Sequence, residues 1–133
     1  MSSRTDPETS EALARRLAEV ADSKGAAEIV VLDMRRLVSY TDYLAICTAR
    51  NERQAKAIHE DVHRRLKEDG LLPARTEGER ESRWVLLDYL DCVLHVFTPE
   101  ERERYRLEVL WGEAKRLDLG LEPGDGSAVR DAS

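Results

Sequence analysis

Trp84-Val-Leu-Leu-Asp-Tyr-Leu-Asp-Cys-Val-Leu-His-Val-Phe-Thr-Pro-Glu-Glu101 is the stretch that decides the fold. Trp84–Tyr89 and Cys92–Phe97 are apolar runs rich in β-branched and aromatic residues, which suit a pleated, half-buried surface. Only Leu90-Asp91 separates them, so they read as antiparallel strands joined by a tight hairpin turn. Thr98-Pro99-Glu100-Glu101 then changes the pattern. It has the form of a capping box, with Pro at the first helical position, where its fixed φ fits and its missing N–H is no loss. The helix predicted from it presents Leu107, Leu110, Trp111, Ala114 and Leu117 along one face and stops at Gly120.

Upstream of the hairpin, the linker Leu71–Arg83 contains Pro73, Gly78 and many charges, with room for one short edge strand. Before it, Ala55, Ile58, Val62 and Leu66 form one stripe of a helix from about Asn51 to Asp69, which Gly70 ends. Tyr43–Thr48 and Ile29–Leu32 are continuous apolar runs and read as buried strands. A first helix starts near Asp6-Pro7, where Asp can cap, carries Leu13, Leu17, Val20 and Ala21 on its apolar face, and ends at Gly25. The order is α-β-β-α-(β)-β-β-α, which predicts an α/β fold with a mixed four- or five-stranded sheet flanked by helices. Residues 1–120 are expected to form one domain. Residues 121–133 have no apolar pattern and are expected to be a disordered tail.

Composition agrees with a globular binding protein. The 133 residues are 41% hydrophobic and 36% charged, enough for a single core without metals or disulfides. No apolar run is long enough to span a membrane, and Asp6 and Glu8 argue against an organelle leader. Cys47 and Cys92 lie far apart within apolar runs and suit a reducing cytosol as small buried hydrophobes. The net charge is −6; residues 1–10 hold one Arg against two acids and residues 121–133 one Arg against three, which leaves −3 on residues 11–120. A body of that charge gains little from counterion release on nucleic acid, so a basic protein partner is the better match.

Three constellations could carry chemistry. His59-Glu-Asp-Val-His63 has the H-E-x-x-H pattern of zinc proteases, which puts two imidazoles on one side of a helix with a Glu as general base. Its context argues for a solvated helix flank instead: at about 100° per residue, His59 borders the apolar stripe and His63 lies further out. Asp33, Asp42, Asp88 and Asp91 lie at strand ends or turns, where paired carboxylates can hold magnesium for nucleotidyl transfer. Such a site wants acids two apart on one strand and a glycine-rich phosphate loop. Here Asp88 and Asp91 straddle a turn and Thr48-Ala-Arg-Asn51 has no glycine, so turn-capping roles fit better. His95, with Asp91 nearby in sequence, has the make-up of a general base, but a lone His on a buried strand is more often a hydrogen-bonded core residue. No nucleophile with a positioned base is readable, and no cofactor is implied; a metal-dependent nucleotidyltransferase or hydrolase is the alternative to a binding protein.

The aromatics are few, seven in all, so their placement matters. Trp111 falls on the apolar stripe of the last predicted helix and reads as core. Trp84 opens a strand directly after the charged segment Glu77–Arg83, either as an interface anchor or as a lid on the core. Strand alternation puts Trp84 and Tyr89 on opposite faces.

Taken together, Asp33, Thr41-Asp-Tyr43, Ile46, Thr48, Arg53-Gln54, Glu77-Gly78, Trp84, Asp88, Asp91, His95-Val96, Arg102, Tyr105, Leu107-Glu108 and Leu110-Trp111 give the chain a joint order and spacing that resembles the ribosomal silencing factor family, the Iojap-related proteins. The resemblance spans about residues 10–112. It implies a nucleotidyltransferase-like scaffold without transferase activity. It further implies binding to the basic ribosomal protein numbered fourteen of the large ribosomal subunit, on the face that meets the small subunit. Bound there, such a factor blocks subunit joining and lowers translation when nutrients are scarce. The family's contact residues carry over to Trp84 and Tyr89, with Asp88 and Glu77-Gly78 as neighbours. Some members form homodimers when free. Organelle members carry a leader, so a bacterial cytoplasmic member is expected. The chain departs from the family in having Ala49 and Leu90 where Gly is usual, and Asn51 where Ser is usual; Leu90 bears on the shape of the contact edge.

Overall fold

The structure, a computed structural model, describes residues 7–121. Its elements are α1 (Pro7–Ser23), β1 (Ala27–Asp33), β2 (Tyr43–Thr48), α2 (Glu52–Glu68), β3 (Arg75–Glu77), β4 (Trp84–Asp88), β5 (Cys92–Phe97), α3 (Pro99–Tyr105), α4 (Leu107–Leu110) and β6 (Lys115–Arg116). The Asp6 cap, and the tail from residue 122 onward, lie outside the described residues.

The hairpin is the seed of the sheet. β4 pairs antiparallel with β5 in the register Trp84↔Phe97, Leu86↔His95 and Asp88↔Val93. β5 pairs parallel with β2, Cys92 opposite Tyr43 and Phe97 opposite Thr48. β2 pairs antiparallel with β1. The order is β3-β4-β5-β2-β1-β6, a mixed sheet of six strands. β2 and β5 are buried at every position, which explains their unbroken apolar sequence: a central strand covered on both faces has no solvent side to alternate with.

The two faces are covered differently. Along β5, Cys92, Leu94 and Val96 point to one side and pack with Leu17 and Val20 of α1 and Ile58, Val62 and Leu66 of α2. Val93 and Phe97 point to the other, with Leu32, Leu44 and Ile46. Two long helices cover the first face. The second is covered by short pieces only: Met34, Leu37 and Val38 after β1, and Leu107, Trp111 and Ala114 after α3.

α1 and α2 are locked where they meet. Gln54 donates from Nε2 to the carbonyls of Lys24 and Gly25, at 3.1 and 3.2 Å, and its own N–H is capped by Asn51 Oδ1 at 2.9 Å. Gly25 has φ +83° and Gly70 has φ +86°, the left-handed conformation that stops a helix. Both stops were readable from the sequence. Cys47 and Cys92 are free and buried, and burial pushes both thiols up, Cys47 to about 12.

The end of the chain corrects the sequence reading. The single helix expected to reach Gly120 is broken at Arg106 (φ 43°, ψ 58°); α4 follows, then a turn, and β6 adds a sixth strand against β1 at Leu32 and Asp33. Arg102 and Glu108 show why. They pair at 2.9 Å, yet residues six apart sit about 240° and 9 Å apart on a straight helix, so the pair forms only across a bend. The capping box also stays open: Pro99 takes its expected place, but Thr98 makes no side-chain cap bond. Trp111, read as core, is only partly buried, and β4 ends at Asp88 rather than Tyr89.

Candidate partner-binding face

Trp84 is the first residue of β4 and stands on the thinly covered face. Its indole N–H donates to Nδ1 of His95 at 2.9 Å. Its ring lies 5.0 Å from that of Phe97 and 4.4 Å from that of Tyr105, centroid to centroid. Trp84 is partly buried and Tyr105 is 43% exposed, so the group is rooted in the sheet and open at its top. Further along the chain, α4 exposes Val109 and Leu110, each 68%, and Val109 lies with Ile29 and Val30 of β1. Aromatic rings and bare aliphatic side chains can bury area against a partner, but they hold no nucleophile and no acid–base pair.

Gly78 sits directly behind Trp84. Its φ is +80°, and a β-carbon there would lie 1.9 Å from the Trp84 carbonyl oxygen. Only glycine lets the two backbones approach this closely. Glu77 is exposed, pairs in register with Leu86 and carries an ion pair to Arg75 at 3.0 Å. Asp88, at the far end of β4, accepts the N–H of Leu90 at 2.8 Å and lies 3.7 Å from the Arg75 guanidinium.

Tyr89 is on the other side of the sheet, as alternation requires. It is 5% exposed and packs in the core under α1 and α2; burial pushes its hydroxyl up to about 12. The predicted site residues therefore fall into three places: Glu77, Gly78 and Trp84 together, Asp88 at the hairpin tip, and Tyr89 beneath it.

The carboxylates of Asp33, Asp42 and Asp88 and the imidazole of His95 have structural partners. Asp33 accepts the Arg35 backbone N–H at 3.1 Å and its guanidinium at 2.6 and 2.9 Å, a pairing that holds its carboxyl below the usual range. Asp42 accepts the Ser10 hydroxyl at 2.7 Å. The Asp91 carbonyl accepts the N–H groups of Asp42 and Tyr43. Burial pushes the His95 imidazole down to about 4 and keeps it neutral, with Nδ1 already occupied by Trp84. His59 is a correction: it is 7% exposed, not solvated, and burial lowers its pKa. Its neighbour in the motif, His63, is half-buried, and no group of three or more His, Cys, Asp or Glu among the described residues is arranged to hold a metal.

A network that the sequence reading did not single out holds the site's outer wall. Arg102, 7% exposed, donates from Nε and Nη2 to Glu108, and from Nη1 to Thr48 Oγ1 at 2.8 Å. The Thr48 hydroxyl in turn bonds Glu28 at 3.3 Å. This partly buried pair spans the bend after α3, and Arg102 ties α3, which ends at Tyr105, to Thr48. A charged pair six apart, in a segment otherwise of helical period, was the one available signal.

Residues 7–132 match the family described as "Ribosomal silencing factor during starvation". The chain is 40% identical over 102 residues to the protein named ribosomal silencing factor RsfS of Bacillus subtilis, covering 77% of this chain and 86% of that one. It is 34% identical over 106 residues to the chloroplastic protein Iojap of Zea mays, covering 80% of this chain and 46% of that one. A crystal structure of a Bacillus halodurans protein superposes with a TM-score of 0.73 at 34% identity, covering 82% of this chain and 99% of that chain. An X-ray structure of a Chromobacterium violaceum protein gives 0.73 at 30% identity, covering 89% and 95%.

Proposed function

Because this chain belongs to the ribosomal silencing factor family, we propose that it represses translation by binding the large ribosomal subunit through its basic ribosomal protein numbered fourteen and excluding the small subunit. The observation that carries this reading is the Trp84 group: a partly buried tryptophan tied to the sheet by its N–H and stacked under the exposed Tyr105 ring. Interface anchors are typically aromatic residues of this kind. Glu77 and Gly78 act beside Trp84. Asp88 shapes the hairpin tip, and Tyr89 acts from below by setting the height of that tip. The protein works by occupancy, not catalysis: two bodies cannot fill one interface. Its site of action is the cytoplasm. Pairing of free copies belongs to the same proposal and is read by gel filtration.

The test is subunit reassociation followed by light scattering. Saturating protein is expected to suppress formation of whole ribosomes. Trp84→Ala is expected to cost about 2 kcal/mol of binding, roughly thirtyfold in affinity. Unchanged reassociation at saturating wild-type protein sinks the proposal.

A further inference from the structure

We propose that His95 is the positioning residue of this face: it accepts the Trp84 indole N–H and so fixes the pose in which the ring meets the partner. The inference rests on the reading of Trp84 as the anchor.

The register makes the bond. Trp84 stands opposite Phe97, and Leu86 opposite His95, so Trp84 and His95 are diagonal neighbours on one face of the hairpin, a separation that long side chains span. Indole has one donor and no acceptor. His95 supplies the matching acceptor at 2.9 Å. The imidazole is otherwise surrounded by apolar side chains: Leu86 beside it on β4, Ile46 beside it on β2, and Phe97 stacked at 6.0 Å. A larger apolar residue would suit that layer better, since burying a polar ring among them is unfavourable without a hydrogen bond. The acceptor role accounts for an imidazole there.

Acceptance at Nδ1 places the one proton of the neutral ring on Nε2. An imidazolium would set N–H against N–H and expel the indole. Burial among these side chains keeps the ring neutral. Trp84 is thus held at three points: His95 at its N–H, Phe97 against the sheet and Tyr105 on its outer side. A side chain already held in one rotamer loses less freedom on binding, which favours the complex.

Three full-length variants test this. His95→Asn keeps an acceptor, because its amide oxygen falls near the place of Nδ1, but it loses the ring. His95→Phe keeps a ring and loses the acceptor. Trp84→Ala removes the anchor and identifies the Trp84 indole resonance by its disappearance. Each is measured for melting temperature, for the indole N–H resonance and its hydrogen exchange, and for affinity to isolated large ribosomal subunits by sedimentation. His95→Asn is expected to keep a protected indole N–H and to bind within about threefold of wild type, although it melts lower. His95→Phe is expected to melt above His95→Asn yet to exchange its indole N–H fast and to bind about tenfold weaker than wild type. Binding that follows melting temperature across the two His95 variants overturns the inference. So does wild-type binding by His95→Phe when Trp84→Ala binds poorly, a result that leaves the anchor reading standing. Wild-type binding by Trp84→Ala removes the anchor and the inference together.

Discussion

Leu90 occupies a backbone conformation in which a β-carbon is unwelcome. Its φ is +72°, at the hairpin position where the resembled family has glycine, and its N–H is held by Asp88. The left-handed region costs a residue with a side chain about 1–2 kcal/mol relative to glycine. Leu90→Gly is therefore expected to raise stability by about 1 kcal/mol, seen as a higher denaturant midpoint with unchanged slope. The side chain is 45% exposed, so little packing is lost. The turn itself was legible from spacing alone; its strain was not, because two residues between strands do not reveal which of them takes positive φ.

His95 makes the protein less stable as the pH falls. Its folded pKa, about 4, lies below the ordinary 6.5, so the folded state disfavours the charged ring. The contribution is fully present above pH 6.5 and is lost progressively as pH falls from 6.5 to about 4. His59 shifts the same way, whereas Asp33 and Glu108 act only below the ordinary carboxylate range. Chemical denaturation from pH 7 to pH 4.5 is expected to show falling stability, with a shallower fall in His95→Phe. Equal slopes in the two proteins would show that His95 is not a buried neutral ring.

At the scale of elements, the bend after α3 is spanned by one ion pair, buried at Arg102 and partly exposed at Glu108. Removing Arg102 leaves the partly exposed Glu108 and the Thr48 hydroxyl without that partner, which costs about 1–3 kcal/mol. Arg102→Ala is expected to fall in that range by thermal melting. The double replacement Arg102→Met with Glu108→Leu is expected to regain most of it, since no charge is then stranded. Sequence period failed at this bend for a physical reason. Leu107, Leu110 and Trp111 keep helical spacing across a break that is set by contacts to Thr48 and to β1, and long-range contacts leave no local trace. The hairpin, α1 and α2 were legible because their signals are local: two apolar runs two residues apart, stripes of helical period, glycines at 25 and 70. The site was legible in part. Glu77, Gly78 and Trp84 are brought together, but alternation alone separated Tyr89 from them, and the spacing gave no hint that Tyr105 sits over Trp84.

At the scale of the molecule, one sheet face is thick with helices and the other thin, and the open aromatic group is on the thin side. Residues 11–120 carry −3, so affinity for the large subunit is expected to depend weakly on salt. A ligand that neutralised many phosphates would lose about 10³–10⁵ in affinity between 50 and 200 mM salt; a loss of no more than about tenfold is expected here. Titration of binding across that range checks it, and a steep dependence would point to ribosomal RNA as the main contact.

The parallel pairing of β2 with β5 also has a bearing on how the chain is made. The two central strands are joined only through α2, β3 and β4, so neither can be completed by its sequence neighbours. Closing such a distant contact is slow compared with forming a helix or a hairpin. During synthesis, α1, β1, β2 and α2 emerge while one edge of β2 has no partner. The hairpin, formed late and quickly, is the piece that closes it. The same segment that carries Trp84 thus brings the last of the central strands, and a chain stopped before Cys92 leaves β2 with one edge unpaired.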